Sequence, residues 1–329
     1  MGKRVLFVPI EPLEERYSAQ WYSWFMRDFE RCGCEVLTVG DRRPATISVG
    51  QFLDVYGTSE YKARQMVDMI RLIRDGFEGT IFFMDLWFPG LCHLGYLRDN
   101  ARRRIKLSGM LHAGTWDKWD YLSQNGLTPW AQYSERGWLT MVDQVFVATE
   151  YHRQLVLGAR GVAPVRIEVA RFPVIDARDC PRCGRNTERE ALVVFPHRLA
   201  PEKDVGAFYR MRDLWQTRYG REHDAVEWLL TKRVCGDKAA YYALLSRATV
   251  AVSTAKQETF GIAMQEAVNC GAVPVVPDRL SYQELFSDRY RYDDLAEGAE
   301  LVQKALEGTL PPMAPETGSD VRHIVEAMI

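Results

Sequence analysis

No stretch of the 329 residues approaches the ~18 consecutive apolar residues of a membrane span, and net charge is only −2, from 42 basic and 44 acidic side chains. With so little net charge the chain has no long-range pull toward polyanions, so any nucleic-acid surface must be a local patch. The run from Met1 to Ile10 starts basic, but its apolar part is far too short for a signal peptide and is followed at once by Glu11, Glu14 and Glu15. Leu6 stands where a myristoylation signal needs Ser or Thr. A cytoplasmic chain with no membrane span is expected. Cysteines are few and irregular: seven, at 32, 34, 92, 180, 183, 235 and 270, an odd number that fits reduced thiols. Cys180-Pro-Arg-Cys183 is half of a zinc knuckle without its second half, because Cys32 and Cys34 have the wrong spacing, so a plain loop is the better reading. There is no internal repeat and no low-complexity segment.

What is present is a regular alternation. Lys3 to Pro9, Glu35 to Val39, Thr80 to Met84, Lys106 to Leu111 and Gln144 to Ala148 read as strands, with helices over Tyr17 to Arg31 and Tyr61 to Arg74. Such alternation argues for a parallel, doubly wound sheet whose ligands meet the loops at the carboxyl ends of strands. Glu168 to Ala191, with Pro173, Pro181 and Gly184, breaks the pattern and reads as a link between domains. A second series follows: strand Leu192 to Phe195, helix Val205 to Arg218, strand Val226 to Leu230, helix Lys238 to Ser246, and the strands Ala248 to Ser253 and Val273 to Val276. A helix over Leu295 to Leu306, a link with Pro311, Pro312 and Pro315, and a last helix over Val321 to Met328 complete the chain. The expected domains are 1–170, 171–310, and a C-terminal helix over 311–329 packing back on the first.

The densest chemistry lies in Val252 to Val276. A helix whose N-terminus is built from Thr259, Phe260 and Gly261 offers backbone N–H groups and a positive dipole end to an anion, expected to be a diphosphate. Arg198 and Lys203, in the loop after strand Leu192 to Phe195, can converge on the same phosphate. The dull alternative pairs them with Glu202 and Asp204 on a solvated loop. Glu258 and Glu266 flank the helix start, and carboxylates there suit sugar hydroxyls, which donate and carry no charge. Counted from Thr259, Glu266 lies roughly 10 Å along the axis at about 1.5 Å per residue, far enough to meet a ribose. A plain amphipathic helix with an acidic first turn and an exposed Glu266 is the other reading.

These residues resemble a family. The second half is similar to retaining glycosyltransferases of the GT-B fold, sequence family four, whose marker, two glutamates separated by seven residues, reads here Glu258-Thr-Phe-Gly-Ile-Ala-Met-Gln-Glu266, then Cys270-Gly271 and Pro274. Arg198 and Lys203 match that family's donor-phosphate pair. Phe195-Pro-His-Arg198, Ser253-Thr-Ala-Lys256 and Tyr282-x-Glu284-Leu-Phe286 resemble the branch that includes tRNA-queuosine mannosyltransferase-like proteins. The resemblance implies two Rossmann-like domains facing a cleft and transfer of a hexose from a nucleoside diphosphate sugar, with a UDP-sugar as first candidate. It implies that Glu258 holds donor-sugar hydroxyls, Glu266 the ribose, and the N–H groups of Gly261 and Ile262 the diphosphate. No Asp-x-Asp motif ends a strand, in keeping with a fold that usually works without a metal or other cofactor.

The first half matches less well. His112, in the loop Met110-Leu-His112-Ala-Gly-Thr-Trp116-Asp117, resembles the histidine that the family places over the donor sugar; a satisfied structural histidine is the alternative. The family's glycine-rich first loop is absent. Arg16, Tyr17 and Gln20 stand there with Trp21, Trp24 and Phe25, and could stack on and read a base, although Trp24 and Phe25 read better as a buried helix face. With Asp85 and Trp116 from neighbouring loops, Arg16, Tyr17 and Gln20 are the expected acceptor contacts. Two basic clusters, Arg98, Arg102, Arg103, Arg104 and Lys106, and Arg64, Arg71 and Arg74, can contact a nucleic-acid backbone or be solvated helix faces. The acceptor readings are a modified base in DNA or tRNA, hydroxymethylcytosine or queuosine in type, against a lipid or small glycan. A non-catalytic sugar-nucleotide-binding protein is a third reading.

Overall fold

Strand β1 (Arg4–Val8) is an apolar run buried along nearly its whole length, which suits a strand covered on both faces. It pairs in parallel with β2 (Glu35–Thr38) on one side and β3 (Gly79–Phe83) on the other, and the sheet continues through β4 (Ile105–Met110), β5 (Gln144–Val147) and β6 (Arg166–Val169). The structure, a computed structural model, describes residues 3–11, 17–40, 55–161, 166–180, 189–220 and 225–329. Helix α1 (Tyr17–Arg31) buries Trp21, Phe25 and Phe29, spaced four apart, with Phe25 and Phe29 against Phe7 and Phe82. Trp21, expected to be an acceptor contact as readily as core, is fully buried, whereas Trp24 is only half-buried. Helices α2 (Val55–Arg74), α3 (Leu91–Ala101), α4 (Tyr121–Gln124), α5 (Thr128–Met141) and α6 (Glu150–Arg160) complete the connections. Gly79 starts β3 because a Cβ there would stand 2.4 Å from the Arg4 carbonyl oxygen.

The second sheet, all parallel, contains β7 (Glu190–Phe195), β8 (Glu227–Leu230), β9 (Ala248–Val252), β10 (Val273–Pro277) and the two-residue β11 (Arg291–Tyr292), in spatial order β11-β10-β9-β7-β8. Helices α7 (Val205–Tyr219), α8 (Thr231–Val234), α9 (Lys238–Arg247), α10 (Ile262–Asn269), α11 (Tyr282–Leu285), α12 (Leu295–Leu306) and the final α13 (Arg322–Met328) follow. Because the chain leaves β7 for β8 on one side and returns to β9 on the other, the winding reverses between β7 and β9. That is where an open parallel sheet parts its loops and receives a ligand. In the first sheet the reversal falls between β1 and β3.

The chain divides into two compact units: Met1–Ala148 with Arg153–Ala170 and Asp320–Ile329, and Thr149–His152 with Arg171–Ser319. Glu168 is not the start of a link: it lies in β6, an edge strand, where it accepts from Gln144 Nε2 at 2.9 Å. Cys180 faces Cys270, Sγ to Sγ 2.7 Å, both buried, so it is packed in the second unit. Cys183, the other cysteine of that Cys-x-x-Cys, lies outside the described residues.

Candidate functional site

The reversal point of the second sheet brings two loops together. The loop after β7 carries His197, Arg198 and, in a short 3-10 turn (Pro201–Lys203), Glu202 and Lys203; the loop after β9 carries Ser253 to Gly261. Lys203 is buried at 6% exposure, and its Nζ donates to the Gln257 carbonyl at 2.6 Å and to Glu258 Oε2 at 3.0 Å. Burial would raise the Glu258 carboxyl, but Lys203 beside it and the Gly261 N–H hold it below its ordinary value. Glu258 is therefore an ionised carboxylate against a buried ammonium.

Arg198 and Lys203 turn to different carboxylates. Arg198 forks onto Glu202, Nε to Oε1 2.9 Å, as the dull reading had it, but Lys203 takes Glu258 instead of Asp204 and is no solvated residue. Asp204 caps α7 through the Ala207 N–H and pairs with Lys256 at 2.9 Å. The loop after β9 is laced by side chains. Thr254 Oγ1 donates to the Lys203 and Asp204 carbonyls, Arg279 to the Ala255 and Thr254 carbonyls, and Tyr292 to the Ser253 carbonyl. Thr149 Oγ1 donates to the Thr259 carbonyl at 2.7 Å.

The helix does not begin at Thr259. Its N-cap is Gly261 at φ +77°, a left-handed backbone that needs glycine, and α10 starts at Ile262. Thr259 and Phe260 are buried ahead of the helix, Phe260 with its ring against Phe172. The Met264 and Gln265 N–H groups bond to the Gly261 carbonyl, which leaves those of Ile262 and Ala263 as the end donors an anion would meet. Glu266 is accordingly four residues beyond the helix start, roughly 6 Å along the axis at about 1.5 Å per residue rather than 10. It is not exposed: it is buried, with Oε1 accepting from Lys238 Nζ at 2.7 Å and Tyr242 hydroxyl at 2.8 Å. Burial, then the nearby Glu266 charge, push the Tyr241 hydroxyl well above its ordinary value.

A polar chain lies beneath these residues, to which the sequence reading gave no role. His197 Nε2 meets Ser253 Oγ at 2.9 Å, and Ser253 Oγ meets Tyr282 hydroxyl at 2.7 Å. Burial pushes the imidazole down to about 3, with the Lys203 charge adding to it, so His197 is neutral. His197, Ser253 and Tyr282 all fall inside segments whose resemblance to a family was legible. The signal for His197 and Ser253 was polarity just after two apolar strands; Tyr282, at the start of α11, had none beyond that resemblance.

In the first unit, Tyr17, Trp21 and His112 form a ring cluster: Tyr17 stacks on His112 at 5.9 Å between centroids, Trp21 lies 5.2 Å away, and the Tyr17 hydroxyl is 3.5 Å from Nδ1. His112 Nε2 lies 2.7 Å from the Met84 carbonyl, which can only accept, so that nitrogen carries the proton. Gln20 is half-buried on the first turn of α1. Asp85 accepts the Trp87 N–H at 3.0 Å and serves the turn after β3. Trp116 is not an open loop residue: it packs in the unit's core. The segment that follows His112 is anchored by Glu135, whose two oxygens take the Thr115 N–H at 2.8 Å and the Arg160 guanidinium at 2.7 Å. Arg16 lies outside the described residues.

The basic clusters are largely matched by carboxylates. Arg64 pairs with Glu60, Arg71 with Asp68, Arg74 with Asp75, Arg98 with Asp99 and Asp143, and Arg104 with Glu78, while Lys106 donates to the Met328 carbonyl. Among the described residues no helix is long and apolar enough to cross a membrane, and no group of three or more His, Cys, Asp or Glu is placed to hold a metal ion.

No protein-family model matches the chain. A stretch of 57 residues, 17% of the chain, is 35% identical to the tRNA-queuosine alpha-mannosyltransferase of Drosophila melanogaster, of which it spans only 15%. Among solved structures, sucrose-phosphate synthase from Thermosynechococcus elongatus superposes with a TM-score of 0.65 at 13% identity, over 99% of this chain and 94% of that one. A UDP-forming α,α-trehalose-phosphate synthase from Burkholderia xenovorans superposes with a TM-score of 0.63 at 11% identity, over 99% and 94%. The fold, two parallel-sheet α/β domains, is that of the GT-B glycosyltransferases.

Proposed function

We propose that the chain is a retaining glycosyltransferase that takes a hexose from a nucleoside diphosphate sugar, a UDP-sugar foremost, and passes it to an acceptor hydroxyl. The observation that carries this reading is the buried Lys203–Glu258 pair beside the N-terminus of α10, at the reversal point of the second sheet. A diphosphate at that helix end would draw Lys203 and free Glu258 to accept hydroxyls of the attached sugar. Arg198, released from Glu202, would share the phosphate charge. Lys203 and the N–H groups of Ile262 and Ala263 would act most strongly as charge builds on the departing diphosphate, lowering the barrier. The reading keeps Glu266 at the ribose, held there by Lys238 and Tyr242. The reading assigns no side chain as nucleophile: the acceptor hydroxyl attacks on the face the diphosphate leaves and hands its proton to phosphate oxygen.

The UDP-forming relative in fold supports the choice of UDP. For the acceptor, the short match to a tRNA-modifying mannosyltransferase favours a hydroxylated base in tRNA, with modified DNA next, while the paired arginines of the first unit give it no added support. His112, Tyr17 and Gln20 remain the first unit's contact candidates.

The test is incubation with a panel of nucleotide sugars and with tRNA or hydroxymethylated DNA, followed by mass spectrometry of digested nucleosides. A gain of one hexose is expected; donor hydrolysis without that gain moves the acceptor to a glycan or lipid, and no donor turnover ends the reading. Lys203→Ala and Glu258→Ala should each lower turnover by about 10²-fold or more. Removing one partner of a buried pair costs about 3–5 kcal/mol, so the double variant Lys203→Met, Glu258→Gln serves as the fold control.

A further inference from the structure

We propose that His197, Ser253 and Tyr282 are positioning residues of the donor site, a buried hydrogen-bonded chain that sets the Glu258–Gly261 turn. This rests on the donor-site reading above and adds to it the parts that hold the turn still.

The chain joins three elements: His197 follows β7, Ser253 follows β9, and Tyr282 opens α11. All three side chains are buried. A Cβ on Gly261 would stand 3.1 Å from Tyr282 Cε1 and 3.4 Å from Glu258 Cγ, so the tyrosine ring, the glycine and the glutamate stem pack on one another. Whatever fixes the ring fixes the turn. The ring is fixed at its hydroxyl, by Ser253 Oγ at 2.7 Å.

The proton inventory ties the direction of the chain to the imidazole tautomer. Ser253 Oγ has one proton and two lone pairs, and one lone pair accepts the Ala255 N–H at 3.3 Å. It can therefore accept once more and donate once, receiving from one of His197 and Tyr282 and giving to the other. With the imidazole neutral and Nε2 as acceptor, the order runs from Tyr282 through Ser253 to His197, and the Tyr282 and Ser253 protons are both used within the chain. Protonating the imidazole would reverse both bonds and leave the Tyr282 proton to seek another acceptor. The charged groups that face His197 are Lys203, Glu258 and Arg198, and those facing Tyr282 are Glu258 and Arg279.

The experiment compares Tyr282→Phe, Ser253→Ala, their double variant, His197→Phe and His197→Gln, in the full chain. The readouts are UDP-sugar turnover, UDP affinity, melting temperature, and amide hydrogen exchange of the segment 258–263. Tyr282→Phe keeps the ring and loses only the hydroxyl. It should lower kcat about 10-fold, in keeping with the roughly 10²-fold cost of an ångström of misplacement, with UDP affinity changed less than about 2-fold. Exchange at 258–263 should quicken. The double variant should be no worse than the poorer single, because both cut one chain. His197→Gln, whose amide can reach Ser253, should stay near wild type, and His197→Phe should follow Tyr282→Phe. Unchanged exchange at 258–263 in Tyr282→Phe overturns the proposal whatever the activity, as does a loss of UDP affinity and melting temperature in step with kcat. A wild-type chain that neither binds UDP nor turns over any nucleotide sugar, with exchange still quickened, removes the glycosyl-transfer reading and leaves the positioning of the turn standing.

Discussion

His197 and Asp120 show how burial sets single residues against each other in their response to pH. The imidazole, pushed from an ordinary 6.5 to about 3 by burial and by Lys203, binds fewer protons folded than unfolded between those values. Its contribution to stability is complete above about 6.5 and is lost as pH falls toward 3. Asp120 caps α4 through the Leu122 N–H, and burial, against that bond and with the Asp117 charge, raises it from 3.8 to about 6. Its contribution is complete below 3.8 and is lost as pH rises through 6. His197→Gln should therefore flatten the acid-side fall of stability between pH 6.5 and 4.5 by at most about 1.4 kcal/mol per pH unit. Asp120→Asn keeps an N-cap residue and should remove the loss between pH 4 and 6. Denaturant melts across pH 4 to 8 read both, and curves parallel to wild type would refute the assignments. Charge of this kind is invisible in sequence order: His197 was legible as part of a motif, but the neutral imidazole follows from its burial and from Lys203 being placed beside it.

At the scale of elements, Gly261 carries the most information per residue. Gly261→Ala places a Cβ at φ +77°, a conformation costing an L-residue about 1–2 kcal/mol, and drives it to 3.1 Å from the Tyr282 ring. Stability should fall by roughly that amount, and UDP affinity should fall about 10-fold because the ring and Glu258 must move; calorimetry of UDP binding decides, with unchanged affinity as the contrary result. The same element shows where sequence reading stops. Helices α1 and α12 were legible to the residue, because α1 buries Trp21, Phe25 and Phe29 on one stripe and α12 opens on an Asp294 cap. The start of α10 was misplaced by three residues, since Thr259 and Phe260 look like a first helical turn, whereas the left-handed Gly261 caps the helix and Phe260 packs on Phe172 ahead of it. Helices α3 and α5 have no counterpart in the sequence reading; α3 carries Gly95 and α5 Pro129 and Gly137, and Met141 lies against Gly95. The carboxylates of Glu258 and Glu266 were legible as a pair. Their partners, Lys203 for the first and Lys238 with Tyr242 for the second, come from separate elements, and pairing across elements is a tertiary fact.

For the molecule as a whole, the chain leaves its first unit at Ala170 and returns to it at Asp320. That return is built in. Val321, Ile324, Val325 and Met328 are fully buried, the Val321 N–H donates to Asp28 Oδ2 at 2.9 Å, and the Met328 and Ala327 carbonyls accept from Thr80, Lys106 and Gln144. Asp28, buried in α1, would be raised by burial, but Arg27 and the Val321 N–H hold it below its ordinary value. At about 1.5–3 kcal/mol for each fully buried apolar side chain, losing four of them approaches the whole 5–15 kcal/mol margin of a domain, even allowing for a compact unfolded state. Deleting residues 320–329 should therefore unfold or nearly unfold the first unit. The second unit draws none of its own residues from that tail and should keep its fold and its UDP affinity within about 2-fold, if the donor site lies where Lys203 and Glu258 place it. Hydrogen exchange resolved by segment is the measurement: fast exchange through β1 to β5 with protection retained in β7, β9 and β10 is expected. Equal loss in both sheets would show that the second unit leans on the first, and full protection in both would show that α13 is dispensable despite its burial.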